Sequence, residues 1–416
     1  YYLKEIKFIR KMNIEPQVKK FIKHKFPFFV DFYRDLKVKV EFDQKYWNRK
    51  IYKTLELIKD LEINPYDKIK PKKYSERPFS KHAIVEINNT CNLDCAMCQT
   101  MSATRKRGKM DLGLLTSILS KLSQKGVETI ALHTLGDPLA NPRLPAVLEE
   151  IRSFNLKTSI CTNGLLLEKH VDTLIEYIDV VPSISFSIDG AKAETYEKIR
   201  IGGKFSKLIE QLEISNEKLR KKGMSVKIHF TLSKDNMKEV GDFISIFRKY
   251  VPRPSSDLSF GVITGLAPDN RYFHSVNPFA NLSHKNVMCW RPKGDPLWVN
   301  VDGTVSACCR DYHGDLIVGD ITKQSYDEIV GGKDLLNLQK AHEKNDLKKY
   351  EPCDNCYRPD KRLDEIMNNL IQYLIFKKKD AQSSYYQTYV NKIIEIFQGN
   401  GNYKSKLKNL LETKVL

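Results

Sequence analysis

From Ala83 onward the chain alternates between two hydrophobic periods. Six short runs, "HAIVEI", "VETIALH", "LKTSIC", "SISFSI", "SVKIHFTL" and "LSFGVIT", carry β-branched or aromatic residues at strand-like spacing. Between them lie amphipathic stretches of helical length: "DLGLLTSILSKLSQK", "RLPAVLEEIRSF", "LEKHVDTLIEYI", "KFSKLIEQLEISNEKLRKKG" and "MKEVGDFISIFRKY". Strands that alternate with helices in this way predict an α/β fold, a parallel sheet with crossover helices and six strands where a complete barrel has eight.

After Pro268 the alternation stops, and a linker rich in Pro and Asn leads into a different pattern. "LWVNVDGTVSACC" predicts a hairpin turning at Asp302-Gly303, a strong turn dipeptide. One helix around "SYDEIVGGKDLLNLQKAHEK" and then "EPCDNC" follow. The ends read differently again. Residues 1–80 predict basic, aromatic-bearing helices, with "KHKFPFFVDFYRDLKVKVEF" as a turn-and-strand interruption, and residues 358–416 predict basic helices interrupted by "GNGN". The expected segments are 1–80, 81–268, 269–357 and 358–416.

Composition narrows the class. The 41% hydrophobic fraction over 416 residues is that of a globular protein, and no apolar run approaches a membrane span. The net charge of +18 sits mostly at the ends: residues 1–80 hold 21 Lys plus Arg against 11 Asp plus Glu, and residues 357–416 hold 11 against 6. The middle, with all nine cysteines, is nearly neutral. Basic ends suit an acidic partner or an anionic membrane surface, while no nucleic-acid-binding signature accompanies them. Clustered cysteines in a chain this long point to metal ligands in a reducing cytoplasm rather than to a disulfide framework.

Cys91, Cys95 and Cys98 form a C-x3-C-x2-C run immediately after the first predicted strand, where active-site loops of parallel sheets gather. Three thiolates leave a tetrahedral set one short. They can hold three irons of a [4Fe-4S] cluster and leave the fourth open to a small chelating ligand; three of four ligands to zinc is the plainer alternative. A second set, Cys289, Cys308, Cys353 and Cys356, is complete, with Gly303 at the hairpin, and four such thiols suit zinc or a fully ligated cluster. Cys161 and Cys309 are left over.

The triplet and the motifs that follow it resemble the radical S-adenosylmethionine superfamily. "LGDPLANP" supplies Gly136, Asp137 and Pro138, "CTNG" includes Asn163, "SIDG" includes Ser187 and Asp189, and Arg200 lies in "YEKIRIGG". The resemblance implies a partial (β/α)6 TIM-like barrel and a cluster that binds S-adenosylmethionine. Gly136, Asp137 and Pro138 would receive its amino group, Ser187 and Asp189 would lie near ribose or methionine, and Arg200 would clamp the carboxylate. Met97, where the family usually has an aromatic residue, would pack beside adenine with "FGVITG".

Residues 285–357 resemble the SPASM/twitch extension of the same superfamily, a small α+β module that binds auxiliary clusters. No cysteine follows Cys356, so one auxiliary cluster is expected. The expected cofactors are two [4Fe-4S] clusters and S-adenosyl-L-methionine, with flavodoxin or ferredoxin as reductant. A fully ligated cluster can take up an electron, which favours dehydrogenation of a small polyhydroxylated substrate such as a sugar, aminocyclitol or nucleotide-sugar. Epimerisation with Cys309 or Cys161 as hydrogen donor, and peptide modification, are the alternatives. His133, Arg271, Tyr272, His274, Arg291, Arg310, Asp311, Tyr312 and His313 are candidates for holding substrate.

Overall fold

The computed structural model describes residues 44–63, 80–132, 134–264, 271–285, 289, 291–293, 297–360, 362–399 and 401–412. Tyr1–Lys53 and Thr54–Leu416 are two compact units. The expected interruption in residues 23–42, His133 and the Arg271 side chain lie outside the described residues.

The elements run α1 (Gln44–Ile63), β1 (His82–Val85), α2 (Leu112–Gln124), β2 (Thr129–Ala131), α3 (Leu144–Ser153), β3 (Lys157–Thr162), α4 (Val171–Glu176), β4 (Ser183–Ser187), α5 (Ala193–Ile199), α6 (Phe205–Ile214), β5 (Ser225–Leu232), α7 (Val240–Phe247) and β6 (Leu258–Val262). After the linker come α8 (Arg271–Val276), β7 (Ser283–Lys285), β8 (Trp298–Val299), β9 (Thr304–Ser306), β10 (Ile317–Asp320), α9 (Tyr326–Val330), α10 (Lys333–Lys344), β11 (Tyr357–Pro359), α11 (Arg362–Lys377), α12 (Ser383–Gln398) and α13 (Tyr403–Glu412). All six expected strands pair in parallel, in the order β1 to β6, and the sheet stays open. This is a partial barrel.

Alternation within each strand sorts its residues between two faces. Ile184 and Phe186 of β4, Val226, Ile228, Phe230 and Leu232 of β5, and Leu258 and Phe260 of β6 are buried. Phe230 meets Phe243 of α7 with ring centroids 4.5 Å apart, which fixes this as the helix-covered face. The opposite face carries Cys161, Ser185, Ser187, His229, Thr231 and Ser259, and the register sets Ser187, His229 and Ser259 side by side across three strands. The concave side of the sheet is therefore polar.

Two features depart from the expected organisation. The hairpin β8–β9 does not stand apart: β8 pairs in parallel with β1, and one nine-stranded sheet runs β10-β9-β8-β1-β2-β3-β4-β5-β6. Ile84 N donates to Leu297 O and Glu86 N to Val299 O, at 2.9 and 2.8 Å, so the hairpin satisfies an edge that β1 would otherwise expose. The helix expected across residues 325–344 is two, α9 and α10, broken at Gly331-Gly332. Gly331 N donates to Asp327 O and Gly332 N to Ile329 O, which closes α9, and Gly332 turns extended to start α10. Consecutive glycines cost a helix interior too much to bridge.

The far edge, β6, is covered by α11. Val262 N donates to Asp364 Oδ1 (2.7 Å), Phe260 N to Asn368 Oδ1 (2.9 Å), and Gln372 Nε2 donates to Leu258 O (2.8 Å). Residues spaced by four share one helix face, so this stripe takes the place of a seventh strand. The helix read as a basic tail is packed into the core, with Leu363, Ile366, Met367, Leu370 and Leu374 buried.

Candidate active site

The first cysteine set lies in the loop between β1 and α2, with Cys95 buried, Cys91 half-buried and Cys98 exposed. Each sulfur has a polar neighbour: Asn163 Nδ2 donates to Cys91 Sγ (3.7 Å), Arg200 Nη1 to Cys95 Sγ (3.6 Å), and Thr100 Oγ1 lies 3.1 Å from Cys98 Sγ. Burial pushes the Cys91 thiol up to about 11. Burial also raises Cys95, with Arg200 opposing. The Cys91 and Cys95 thiols need a metal to be ionised, and three cysteines in one loop with donors beside their sulfurs have the chemistry of an iron-sulfur ligand set.

The loop is seated on Gly136. A Cβ there would lie 2.6 Å from Thr90 O and 2.8 Å from Asn88 O and Thr90 N, and its φ of +74° is one that glycine adopts readily. Asp137 N donates to Thr90 O (3.0 Å), fastening the two loops together. The Asp137 carboxylate is buried and accepts from Thr162 Oγ1, Asn163 N and Leu139 N at 2.8 to 2.9 Å. It caps the turn at Pro138 and ties the end of β2 to the end of β3.

Asp189 follows β4, with no exposure, and its Oδ1 accepts from Thr231 N (2.8 Å) while Oδ2 lies 2.5 Å from Arg200 Nη2. Burial works against the Arg200 charge, but Asp189 and Cys95 outweigh it and hold the guanidinium above its ordinary value. Arg200 Nε is buried without a hydrogen-bond partner among the described residues. A guanidinium already anchored on one edge, with an unused buried donor, fits a carboxylate ligand beside the Cys95 sulfur. Ser187 Oγ lies 3.4 Å from Cys161 Sγ. Met97 packs with Tyr272 against Ile263, Phe273 and Val276, which brings it to the end of "FGVIT" as expected for an apolar wall.

Cys289, Cys308, Cys353 and Cys356 line one enclosed cavity together with Arg291 and Arg310. Arg291 N donates to Cys289 Sγ and Arg310 N to Cys308 Sγ, both at 3.4 Å, as suits metal-bound thiolates. Four cysteines lining one cavity match, in number and chemistry, the ligand set of a fully ligated cluster. Cys309 accepts from Arg291 Nε at 3.3 Å. The Cys308 thiol beside it and the nearby Arg291 and Arg310 guanidinium groups favour its ionised form.

Two polar residues that sequence reasoning passed over join the sites. Glu86, fully buried, forms a two-pronged ion pair with Arg105 (2.9 Å each) and accepts from Leu135 N. Arg105 Nε also donates to Tyr312 O (3.2 Å), and Thr104 meets His313 Nδ1 through its hydroxyl (3.0 Å). The first cysteine loop and the β9–β10 connection are thereby held together.

Of the other candidates, Asp311 caps its own turn, accepting from Gly314 N, Asp315 N and Leu316 N. Tyr272 donates to Asp235, and His274 is exposed. Arg310 Nη2 donates to Thr264 Oγ1 and borders a second cavity of about 510 Å³ on the concave side of β5 and β6. His229 and Asp364 line that cavity. His229 was legible in the alternation of "SVKIHFTL", which sets it opposite Val226, Ile228 and Phe230.

Comparison with known proteins agrees with this geometry. Residues 85–246 match the radical SAM superfamily, and residues 289–357 match the SPASM iron-sulfur cluster-binding domain. A probable GTP 3',8-cyclase of Methanococcus maripaludis is 30% identical over 149 residues, 35% of this chain and 48% of the relative. Mycofactocin maturase MftC of Mycobacterium tuberculosis is 25% identical over 166 residues, 40% of this chain and 41% of the relative. The chain thus spans about half the length of the curated relatives it matches. Among solved structures, BtrN in complex with AdoMet and 2-DOIA is similar at 19% identity and TM-score 0.44, covering 67% of this chain and 93% of that one. Streptococcus suis SuiB bound to S-adenosylmethionine is similar at 14% identity and TM-score 0.48, covering 63% and 68%. With its cysteine loop at the end of β1 and its second cysteine set around the β8–β9 hairpin, the chain belongs to the radical SAM superfamily, carries a SPASM domain, and has S-adenosylmethionine and iron-sulfur clusters as its cofactors.

Proposed function

We propose that this radical SAM enzyme is an oxidoreductase that dehydrogenates a small polyhydroxylated molecule, a sugar, aminocyclitol or nucleotide-sugar. Bound at the first cysteine set, the cluster and S-adenosylmethionine supply a 5'-deoxyadenosyl radical able to abstract hydrogen from carbon. Cys91, Cys95 and Cys98 would hold that cluster. Arg200 would hold the methionine carboxylate, with Asp189 fixing the guanidinium, and Met97 and Ile263 would wall the adenine. Cys289, Cys308, Cys353 and Cys356 would hold a second cluster with every protein position filled, which suits electron uptake rather than substrate binding.

The observation that carries this reading is the polar concave face. Ser187, His229, Thr231 and Ser259 offer hydroxyls and an imidazole where a hydroxylated molecule needs hydrogen bonds, and Arg310 borders both this cavity and the four-cysteine cavity. Epimerisation is the second reading, favoured by Cys161 on the same face within 3.4 Å of Ser187 Oγ.

Anaerobic turnover of Cys161→Ser separates the two. Dehydrogenation requires that the variant keep substantial turnover and that the product be two electrons more oxidised than the substrate. Lost turnover with continued 5'-deoxyadenosine formation, together with solvent deuterium in the wild-type product at a carbon of unchanged oxidation state, makes the enzyme an epimerase. Turnover of a peptide and of no polyol ends both readings.

A further inference from the structure

Helix α11 begins after the last residue of the SPASM match, so neither matched family accounts for it. Its role at the edge of β6 is structural, but the same helix also faces the cavity: Asp364, Glu365 and Asn368 line it together with His229, Gly261 and Arg310. Asp364 uses Oδ1 to accept from Val262 N and is open to the cavity on its other side.

The opposite wall is His229. Its Nδ1 lies 2.9 Å from Ser259 Oγ, and Ser259 donates its own proton to Ile228 O at 3.4 Å. With that proton on Ile228 O, Ser259 accepts from Nδ1–H, which leaves the ring's lone pair on Nε2, an atom that makes no hydrogen bond among the described residues. Burial holds this imidazole below its ordinary value; Asp189 and Asp364 draw a proton toward it and Arg200 opposes them. The neutral ring is the form that accepts.

Gly261 forms the floor between the two walls. A Cβ at this position would lie 3.0 Å from His229 Cε1, 3.2 Å from His229 Nε2 and 3.8 Å from Asp364 Oδ1. A side chain of any size would fill the gap between imidazole and carboxylate. Glycine inside a strand commonly marks the close approach of another group.

We propose that α11 completes the substrate site: a ring-sized polyol rests on Gly261, one hydroxyl donating to His229 Nε2 and a neighbouring hydroxyl donating to the Asp364 carboxylate. This rests on the polyol-oxidising reading above and names where the reacting hydroxyl sits. In the oxidation of H–C–O–H to C=O, the hydrogen atom leaves carbon for the adenosyl radical derived from S-adenosylmethionine. The hydroxyl proton passes to His229 Nε2, and the remaining electron goes to the auxiliary iron-sulfur cluster. Two hydrogens and two electrons leave the substrate, and all are placed.

The test uses the anaerobic, cluster-loaded, S-adenosylmethionine-bound full chain, with myo-inositol, D-glucosamine and UDP-glucose as probes. Equilibrium binding is measured first, with iron content and unfolding midpoint recorded for each variant. Gly261→Ala and Asp364→Asn are expected to weaken the binding of a probe held by the wild type by about tenfold or more. Asp364→Asn keeps an oxygen for Val262 N, so it decides the question if Gly261→Ala fails to fold. His229→Gln is expected to keep forming 5'-deoxyadenosine while yielding at least about tenfold less oxidised product per molecule of it. Unchanged binding in the first two variants, or an unchanged product ratio in the third, overturns the inference and leaves the polyol reading standing. Failure of all three probes to bind the wild type overturns both.

Discussion

Replacing Arg105 with Met would test how the two cysteine sites are held together. Arg105 gives both Nη atoms to the two oxygens of Glu86 at 2.9 Å, and the Glu86 side chain is 0% exposed while that of Arg105 is 10% exposed. Removing the guanidinium leaves a carboxylate with no access to water and, among the described residues, only Leu135 N, at 3.2 Å, donating to it. Breaking a buried pair by removing one partner costs about 3–5 kcal/mol. The remaining backbone donor argues for the lower end, about 3 kcal/mol, more than a hundredfold in the folding equilibrium. The lost bond to Tyr312 O adds to it.

The double variant Glu86→Gln with Arg105→Met should recover most of the loss, since a neutral amide strands no charge. Urea unfolding of wild type, both single variants and the double variant under reducing conditions gives the coupling as a double-mutant cycle. An Arg105→Met protein within about 1 kcal/mol of wild type would sink the argument, because that is the contribution of an exposed ion pair.

Replacing Cys91, Cys95 and Cys98 together with Ala should remove about half of about eight irons per chain and all cleavage of S-adenosylmethionine, measured by iron analysis and 5'-deoxyadenosine formation. Cleavage that survives excludes this loop as the radical-generating site. Replacing Cys353 and Cys356 with Ala should leave cleavage and abolish oxidised product, whereas stoichiometric zinc at that site in the wild type would remove the electron-transfer role. Stability should fall as pH drops below about 6.5. His170 and His229 are both held below their ordinary value by burial, so below 6.5 the unfolded chain binds protons that the folded chain does not. His170→Gln should flatten that slope in urea unfolding at pH 5.5 to 8, and an identical slope would count against the assignment.

The sequence by itself determined the elements whose signal is local. Alternating residues in six short runs specify strands because successive side chains point to opposite faces, and the same alternation placed His229 away from Val226 and Ile228. The C-x3-C-x2-C spacing was readable because one loop carries all three ligands. Asp302-Gly303 was readable because a turn depends on its own backbone angles, and Gly303 has φ +87°. Tertiary structure alone decided which edges the sheet keeps. The hairpin joins β1 because unpaired backbone groups at an edge must be satisfied, and a strand more than two hundred residues later in the chain meets that need. Asp364, Asn368 and Gln372 read as the polar face of a basic helix, since side chain to backbone bonds across more than a hundred residues leave no period in the sequence. Glu86, Asp137 and Asp311 carry the same lesson. A carboxylate that caps a loop and one that faces a ligand look alike in the sequence, and only the donors brought around each tell them apart.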